Sequence, residues 1–383
     1  MQVTRRKMIG IIGGGTILAA TAGISGFLTT RTPSKALEPW NLAGGYAEPR
    51  KRALSYAILA PNPHNRQPWL VDLSEADKVT LYVDTEKMLP HTDPFNRQIT
   101  IGLGCFIELL RMAAAEDGYE VTIESFPRGF GQDKLDKRPV AVMSFKQNAN
   151  VKKDPLFKHV LKRSSLKEPY DLKKPVPDAV LSELQNLQQD GVSLGTTNDA
   201  EKIVKLRKLT HEALAIEIQT PRTYKESMDL FRIGKAEINA NPDGLDFSGP
   251  LFDSMAALGL FSREIALDTK SSGYQQGLAA VMANVDTAMG YVWLITDSNT
   301  RIDQLNSGRD WIRVNLTTTQ NNVGIQPLSQ CLQEYAEMSE KIAQIHKMLN
   351  ATGKTVQMFG RLGYAAPVAP SPRWPLEAKI IKA

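Results

Sequence analysis

The chain shows two kinds of hydrophobic pattern. Residues 69–73 and 79–84 place apolar side chains at alternate positions, which predicts two short strands with one buried face each. Residues 99–115 are so densely apolar that the helix they predict is buried on most sides, opened by Asp93-Pro94 and ended by Gly118. Residues 120–125 and 139–145 predict further strands around a charged turn at 133–137, and residues 47–59 predict a helix near the start. Downstream, Asp154-Pro155 caps another helix, with Pro at its first position. Residues 177–268 read as mainly helical with one polar face, broken at 239–250, and 278–289 as an apolar helix. A strand at 291–296, helices at 302–321 and 329–349, and a strand at 357–364 precede a proline-rich tail. At an offset of 206, Gln98, Gly102, Leu110 and Gly118 fall on Gln304, Gly308, Leu316 and Gly324. This faint repeat fits an α+β fold of two similar halves packed face to face.

Charge changes the picture through its position. The chain of 383 residues carries a formal +5, which on its own suggests a polyanion partner. The whole excess lies in Arg5, Arg6, Lys7, Arg31 and Lys35, within a first 36 residues that hold no acidic side chain. Residues 37–383 are neutral, so nucleic-acid binding loses its support. Arg5-Arg6 before a glycine-rich, weakly apolar stretch resembles a twin-arginine export signal. The stretch is also long enough to act as an uncleaved membrane anchor. Ser34-Lys35-Ala36 offers a small-x-small cleavage site. Export by this route moves folded proteins, commonly with a cofactor already loaded, and it would place Cys105 and Cys331 in an oxidising compartment.

Standard catalytic patterns fail. His211-Glu212 is not completed to HExxH, because Ala215 stands at the second His position, and Gly353-Lys354-Thr355 lacks the first glycine of a phosphate loop. The five histidines have no ligand spacing, and no metal is expected. Two segments carry candidate chemistry instead. In an extended Asn65-Arg66-Gln67-Pro68-Trp69, positions 65, 67 and 69 share a face, presenting two amides beside an indole. Amides suit the donor and acceptor edge of a flavin or pyrimidine; alternatively they cap their own backbone, with Trp69 in the core. Arg163, Ser165 and Lys167 could surround one phosphate; alternatively they form a solvated basic helix end.

Together these segments resemble the nitroreductase superfamily of FMN proteins, and within it the twin-arginine-exported, Acg-type branch. The matching residues are Ala60-Pro61-Asn62-Pro63-His64-Asn65-Arg66-Gln67-Pro68-Trp69, Asp93-Pro94-Phe95-Asn96-Arg97, Arg163-x-Ser165-x-Lys167, Gly308-Arg309-Asp310-Trp311, Gln326-Pro327-Leu328-Ser329-Gln330, Arg361-Leu362-Gly363-Tyr364 and Ser371-Pro372-Arg373-Trp374-Pro375. The resemblance implies a leader at 1–36, a first nitroreductase-like half at 37–150, and a second at 151–383 carrying a helical lid at about 177–268. It implies a fused pseudo-dimer that acts as a monomer with one FMN. Asn65 and Gln67 would then meet the ring, Pro327, Leu328, Ser329 and Gln330 would line N5, and Arg163, Ser165, Lys167 and Arg373 would hold the phosphate. Asn62, Leu166 and Glu168 depart from the branch's usual residues. The implied function is exported, FMN-dependent electron or hydride transfer to an unidentified small-molecule acceptor, after passage through the twin-arginine translocase. No acid or base is evident, and a periplasmic enzyme would need a membrane quinol or partner protein as reductant. A chain that only holds FMN, and a cofactor-free exported protein, are the rival expectations.

Overall fold

A computed structural model describes residues 31–131, 133–187 and 191–382. The export signal therefore lies outside the described residues. The chain opens with α1 (Ser34–Leu42) and α2 (Pro49–Ala57), then β1 (Trp69–Asp72), β2 (Lys78–Val83), α3 (Arg97–Glu116), β3 (Tyr119–Ser125) and β4 (Ala141–Gln147). Next come α4 (Asp178–Gln185) and β5 (Ser193–Thr197). An insertion follows: α5 (Ala200–Gln219), α6 (Pro221–Asp229), β6 (Phe231–Ile233), α7 (Gly234–Ala240), β7 (Leu245–Phe247), α8 (Pro250–Ala257), α9 (Arg263–Leu267) and α10 (Ser272–Val285). The chain ends with β8 (Gly290–Thr296), α11 (Arg301–Gln320), β9 (Gly324–Pro327), α12 (Ser339–Met348), β10 (Thr355–Gly363) and β11 (Ile380–Lys382).

The fold is α+β and internally doubled. One sheet runs β11-β1-β2-β4-β3 and the other β5-β8-β10-β9. With β11 set aside, both halves have the same chain order of strand, strand, helix, strand, strand and the same spatial order, every pair antiparallel. The last strand crosses back to the first half, pairing parallel to β1.

The helix of each half, α3 or α11, packs on the other. α3 is long and apolar enough to cross a membrane, yet 18 of its 20 residues are buried in this core. Its start is set by Asp93, whose carboxylate accepts from the amides of Gln98 and Ile99, so the helix opens at Arg97 rather than at Pro94. The two helices meet at glycine: a Cβ on Gly104 would lie 2.1 Å from the Leu305 carbonyl oxygen, and one on Gly308 2.0 Å from that of Ile101. The contacting pair is offset by 204 rather than 206, so the duplication is real while the residue matches that hinted at it are two positions out of register. Gly104→Ala is expected to cost at least about 2 kcal/mol, read as a lower urea midpoint at unchanged m-value, because backbone stands where the methyl would go.

Three expectations are corrected. Residues 177–268 are mainly helical, but they also hold the short strands β5, β6 and β7, and the insertion occupies the stretch between β5 and β8 rather than 177–268. Residues 329–349 hold two 3-10 turns before α12. Residues 157–162 form a 3-10 turn rather than an α-helix. Both cysteines are free and buried, Cys105 against the Gly308 carbonyl and Cys331 in a separate core cluster.

Candidate anion-binding site

The segment from Pro63 to Gln67 is not extended. It forms a 3-10 turn in which His64, Asn65 and Gln67 all have positive φ (48°, 51° and 50°). Such backbone costs on the order of 1–3 kcal/mol per residue and persists only where neighbours hold it. Here the Gln67 amide nitrogen donates to the Pro242 carbonyl at 2.7 Å, its Oε1 accepts from Trp374 N–H at 2.9 Å, and its own N–H donates to Asn62 Oδ1 at 2.7 Å. Gln67 and Trp69 are both fully buried. Gln67 is therefore a brace for the loop, with no surface for a ligand, and Trp69 is core. Asn65 donates from Nδ2 to the Pro372 carbonyl at 3.0 Å and accepts at Oδ1 from Arg373. It keeps spare amide capacity and is only half-buried.

Arg163 and Arg373 come together from distant parts of the chain. Arg163 leaves the 157–162 turn and donates to Asn315 Oδ1 at 3.0 Å and to the Leu59 carbonyl at 3.1 Å. Arg373 donates to the same Leu59 carbonyl at 3.2 Å, to that of Ala60 at 3.2 Å and to that of Pro372 at 2.9 Å. The Trp40 ring of α1 lies 6.0 Å from one guanidinium carbon and 5.6 Å from the other. Both arginines are buried, and the Nε of each has no hydrogen-bond partner. Burial pushes Arg163 down to about 10; burial and the charge of Arg163 push Arg373 down to about 9. Both stay cationic at neutral pH, but each is poorly accommodated as it stands.

Lys167 adds a third cation. It is open to solvent yet enclosed enough for desolvation to lower its pKa, and Asp246 of β7 is the carboxylate that attracts both it and Arg373. Ser165 beside it is half-buried. The Leu166 N–H donates to the Ile325 carbonyl at 2.8 Å, which lays this segment along β9 and so beside the start of the 327–330 loop. In that loop the Leu328 N–H is committed to the Phe359 carbonyl and its side chain is buried, while Ser329 and Gln330 are half-buried.

Beside the Gln67–Pro242 contact, two side-chain clips fasten the insertion over this region. Asp243 takes Arg66 at 3.2 Å, Lys87 at 2.7 Å and Arg232 at 2.8 Å. Its burial raises its pKa, but Lys87 and Arg232 more than offset that and the pKa falls. The second clip is His64 Nε2 against Ser227 Oγ of α6 at 3.0 Å. Ser227 also hydrogen-bonds Glu217 of α5, which receives Gln333 Nε2 at 3.0 Å and the Gln330 side chain. Desolvation pushes Glu217 up to about 7 despite those bonds; desolvation, then Lys167 and Arg66, push His64 down to about 4.

Arg163, Lys167, Arg373 and Asn65 are thus brought together, and Gln67 is placed behind them rather than among them. Trp40, Asn315, Glu217, Ser227 and Asp246 were not foreseen. Each has a partner more than 100 residues away, and no local pattern marks them.

These features define a doubled α+β protein with a buried dicationic site suited to an anion. No family model matches the sequence. The chain is 35% identical, over 77 residues, to a Mycobacterium tuberculosis protein named as a candidate NAD(P)H nitroreductase, acg, a match covering 20% of this chain and 23% of that protein. It is 34% identical over 88 residues to an uncharacterised protein of the same species, covering 22% of this chain and 26% of that one. The match thus spans about a quarter of the length of those curated relatives. Among solved structures, the FMN-dependent nitroreductase NfnB from Mycobacterium smegmatis, in complex with NADPH, aligns with a TM-score of 0.36 at 14% identity over 58% of this chain and 96% of its own. A nitroreductase-like family protein from Bacillus cereus aligns with a TM-score of 0.32 at 11% identity over 60% and 95%.

Proposed function

We propose that this chain is an FMN-dependent oxidoreductase of the nitroreductase type, exported by the twin-arginine route. The observation that carries the reading is the Arg163–Arg373 pair: two buried guanidinium groups, each with an orphaned Nε, meeting at one carbonyl. Like charges are brought this close in a desolvated place at a cost that a bound dianion would offset. A flavin phosphate has the right charge, and Lys167 and Ser165 stand beside the pair as a point charge and a neutral donor. Asn65 is the amide with capacity left for the ring edge. Ser329 and Gln330 are the members of the 327–330 loop with surface to offer. When bound, FMN supplies the electron or hydride transfer, and the protein holds, orients and shields it.

The matched relatives' names support an NAD(P)H-type donor. In the periplasm that donor is not freely supplied, and a membrane quinol or partner protein would take its place. A second reading, in which the protein holds FMN and turns over little, is favoured by the two clips that fasten the insertion over the site.

Purification from the cytoplasm tests the first claim. A yellow protein that releases FMN on denaturation is expected, and a colourless one with no affinity for added FMN would overturn it. Anaerobic mixing of the holoprotein with NADPH, NADH or a reduced quinol, followed by nitroaromatic or quinone acceptors, separates enzyme from store. Bleaching and reoxidation mark the enzyme; failure of every donor marks the store.

A further inference from the structure

The leader's exit point and the insertion's outer residues carry a second conclusion. The expected cleavage site, Ser34-Lys35-Ala36, is built into the fold. Ala36 is buried in the first turn of α1, its N–H donates to Asn239 Oδ1 at 3.0 Å, and its carbonyl accepts from the Arg373 N–H at 2.8 Å. A protease needs an extended, accessible strand, and a chain that folds before export offers none there.

Five residues upstream, Arg31 lies 3.6 Å from Asp253 of α8, so the described part of the chain begins beside that helix. Residues 8–30 carry no charge and are long enough to span a bilayer. α8 has no buried residue, and it runs into Leu258 and Leu260, which are 73% and 52% exposed. Residues 254–262 and 271–285 carry no charged side chain, and of the latter only Tyr274 and Val285 are buried within α10. A water-facing surface of that length would ordinarily be charged.

We propose that the chain keeps residues 8–30 as a bilayer anchor and rests the apolar residues after α8, Leu258 and Leu260, on the same bilayer. The occupant is lipid, because the described chain begins beside α8 and the residues before it, 8–30, are uncharged in sequence and of spanning length. The contact is hydrophobic: no Lys or Arg lies within 254–262, so salt should not release it. A donor dissolved in the bilayer would then meet the insertion directly.

The test uses the full chain reconstituted in phosphatidylethanolamine–phosphatidylglycerol vesicles. An environment-sensitive fluorophore is placed on Leu258→Cys or Leu260→Cys, with Val204→Cys, 63% exposed on α5, as the control. Native Cys105 and Cys331 are buried and do not compete for label. Labels at 258 and 260 are expected to shift to the blue and to be quenched severalfold more strongly than that at 204 by lipids carrying a nitroxide, unchanged in high salt. The intact mass of membrane-extracted protein should retain the leader. Equal quenching at 258 and 204, a mass lacking the leader, or burial of the 258 label by self-association in the absence of lipid would each overturn the proposal.

Discussion

Arg373→Met should bind FMN at least about a hundredfold more weakly than the native chain, while the FMN-free variant melts no lower than its parent. The reason is that the hydrogen bonds of Arg373 are nearly all duplicated. The Leu59 carbonyl keeps Arg163, the Ala60 carbonyl keeps Asn62 Nδ2 at 3.1 Å, and the Pro372 carbonyl keeps Asn65 Nδ2. Only Asn65 Oδ1 loses its donor, and Asn65 is half-buried. The charge is what nothing duplicates. In the free protein it is held next to Arg163 in a place that disfavours it, so its removal relieves repulsion. In the proposed complex it would supply charge-assisted hydrogen bonds worth about 1.5–3 kcal/mol each. Methionine fills much of the same volume without a polar atom. Arg373→Lys should fall between, keeping the charge and losing the fork. Titration calorimetry with FMN and thermal unfolding without it measure the two halves of the claim. A variant that melts many degrees lower yet binds FMN normally would show Arg373 to be a structural residue.

How far the sequence revealed this site depends on what kind of signal each residue leaves. Arg163 and Lys167 were legible because cations two residues either side of Ser165 form a local pattern, and local patterns survive without a structure. The amide pair at 65 and 67 was legible as important but misread in geometry. Alternation implies an extended segment, whereas His64, Asn65 and Gln67 turn through the left-handed region, so Gln67 points inward. Trp40 leaves no trace, because its value lies in standing over two guanidinium groups more than 120 residues away. Among the elements, strands β1, β2 and β8 announced themselves by alternation or density. β5 did not: Ser193–Thr197 has a glycine at its centre, packed against the Trp293 indole, and becomes a strand only because β8 lies beside it. The doubling was nearly invisible for a related reason. What the halves share is strand order and one glycine crossing, and neither requires the same side chains elsewhere.

The two single variants Glu217→Gln and His64→Gln should change the pH dependence of stability in opposite directions. Burial pushes the Glu217 carboxyl up from its ordinary 4.5 to about 7. Its protonated form is favoured by folding, so its stabilising contribution is complete below pH 4.5 and is lost as pH rises through 7. His64 has a folded pKa of about 4 against 6.5, lowered by desolvation and then by Lys167 and Arg66. Its contribution is complete above pH 6.5 and is lost as pH falls through 4. Each shift corresponds to roughly 3 kcal/mol over its window. Between pH 4.5 and 6.5 the two oppose each other in the native chain. Removing Glu217 exposes the His64 slope, so the variant gains stability relative to the native chain as pH rises from 4.5 to 7. Removing His64 exposes the Glu217 slope, and that variant loses relative stability over the same range. Asp93, raised to about 6, titrates in the same region but is common to all three chains and drops out of the differences. Urea midpoints at half-unit steps of pH from 4.5 to 7.5 give the curves. Because Ser227 joins the two groups, the double variant should not be the sum of the singles. Three parallel curves would mean that neither group is held in its disfavoured state, and that the contact between His64 and α6 carries no linked proton.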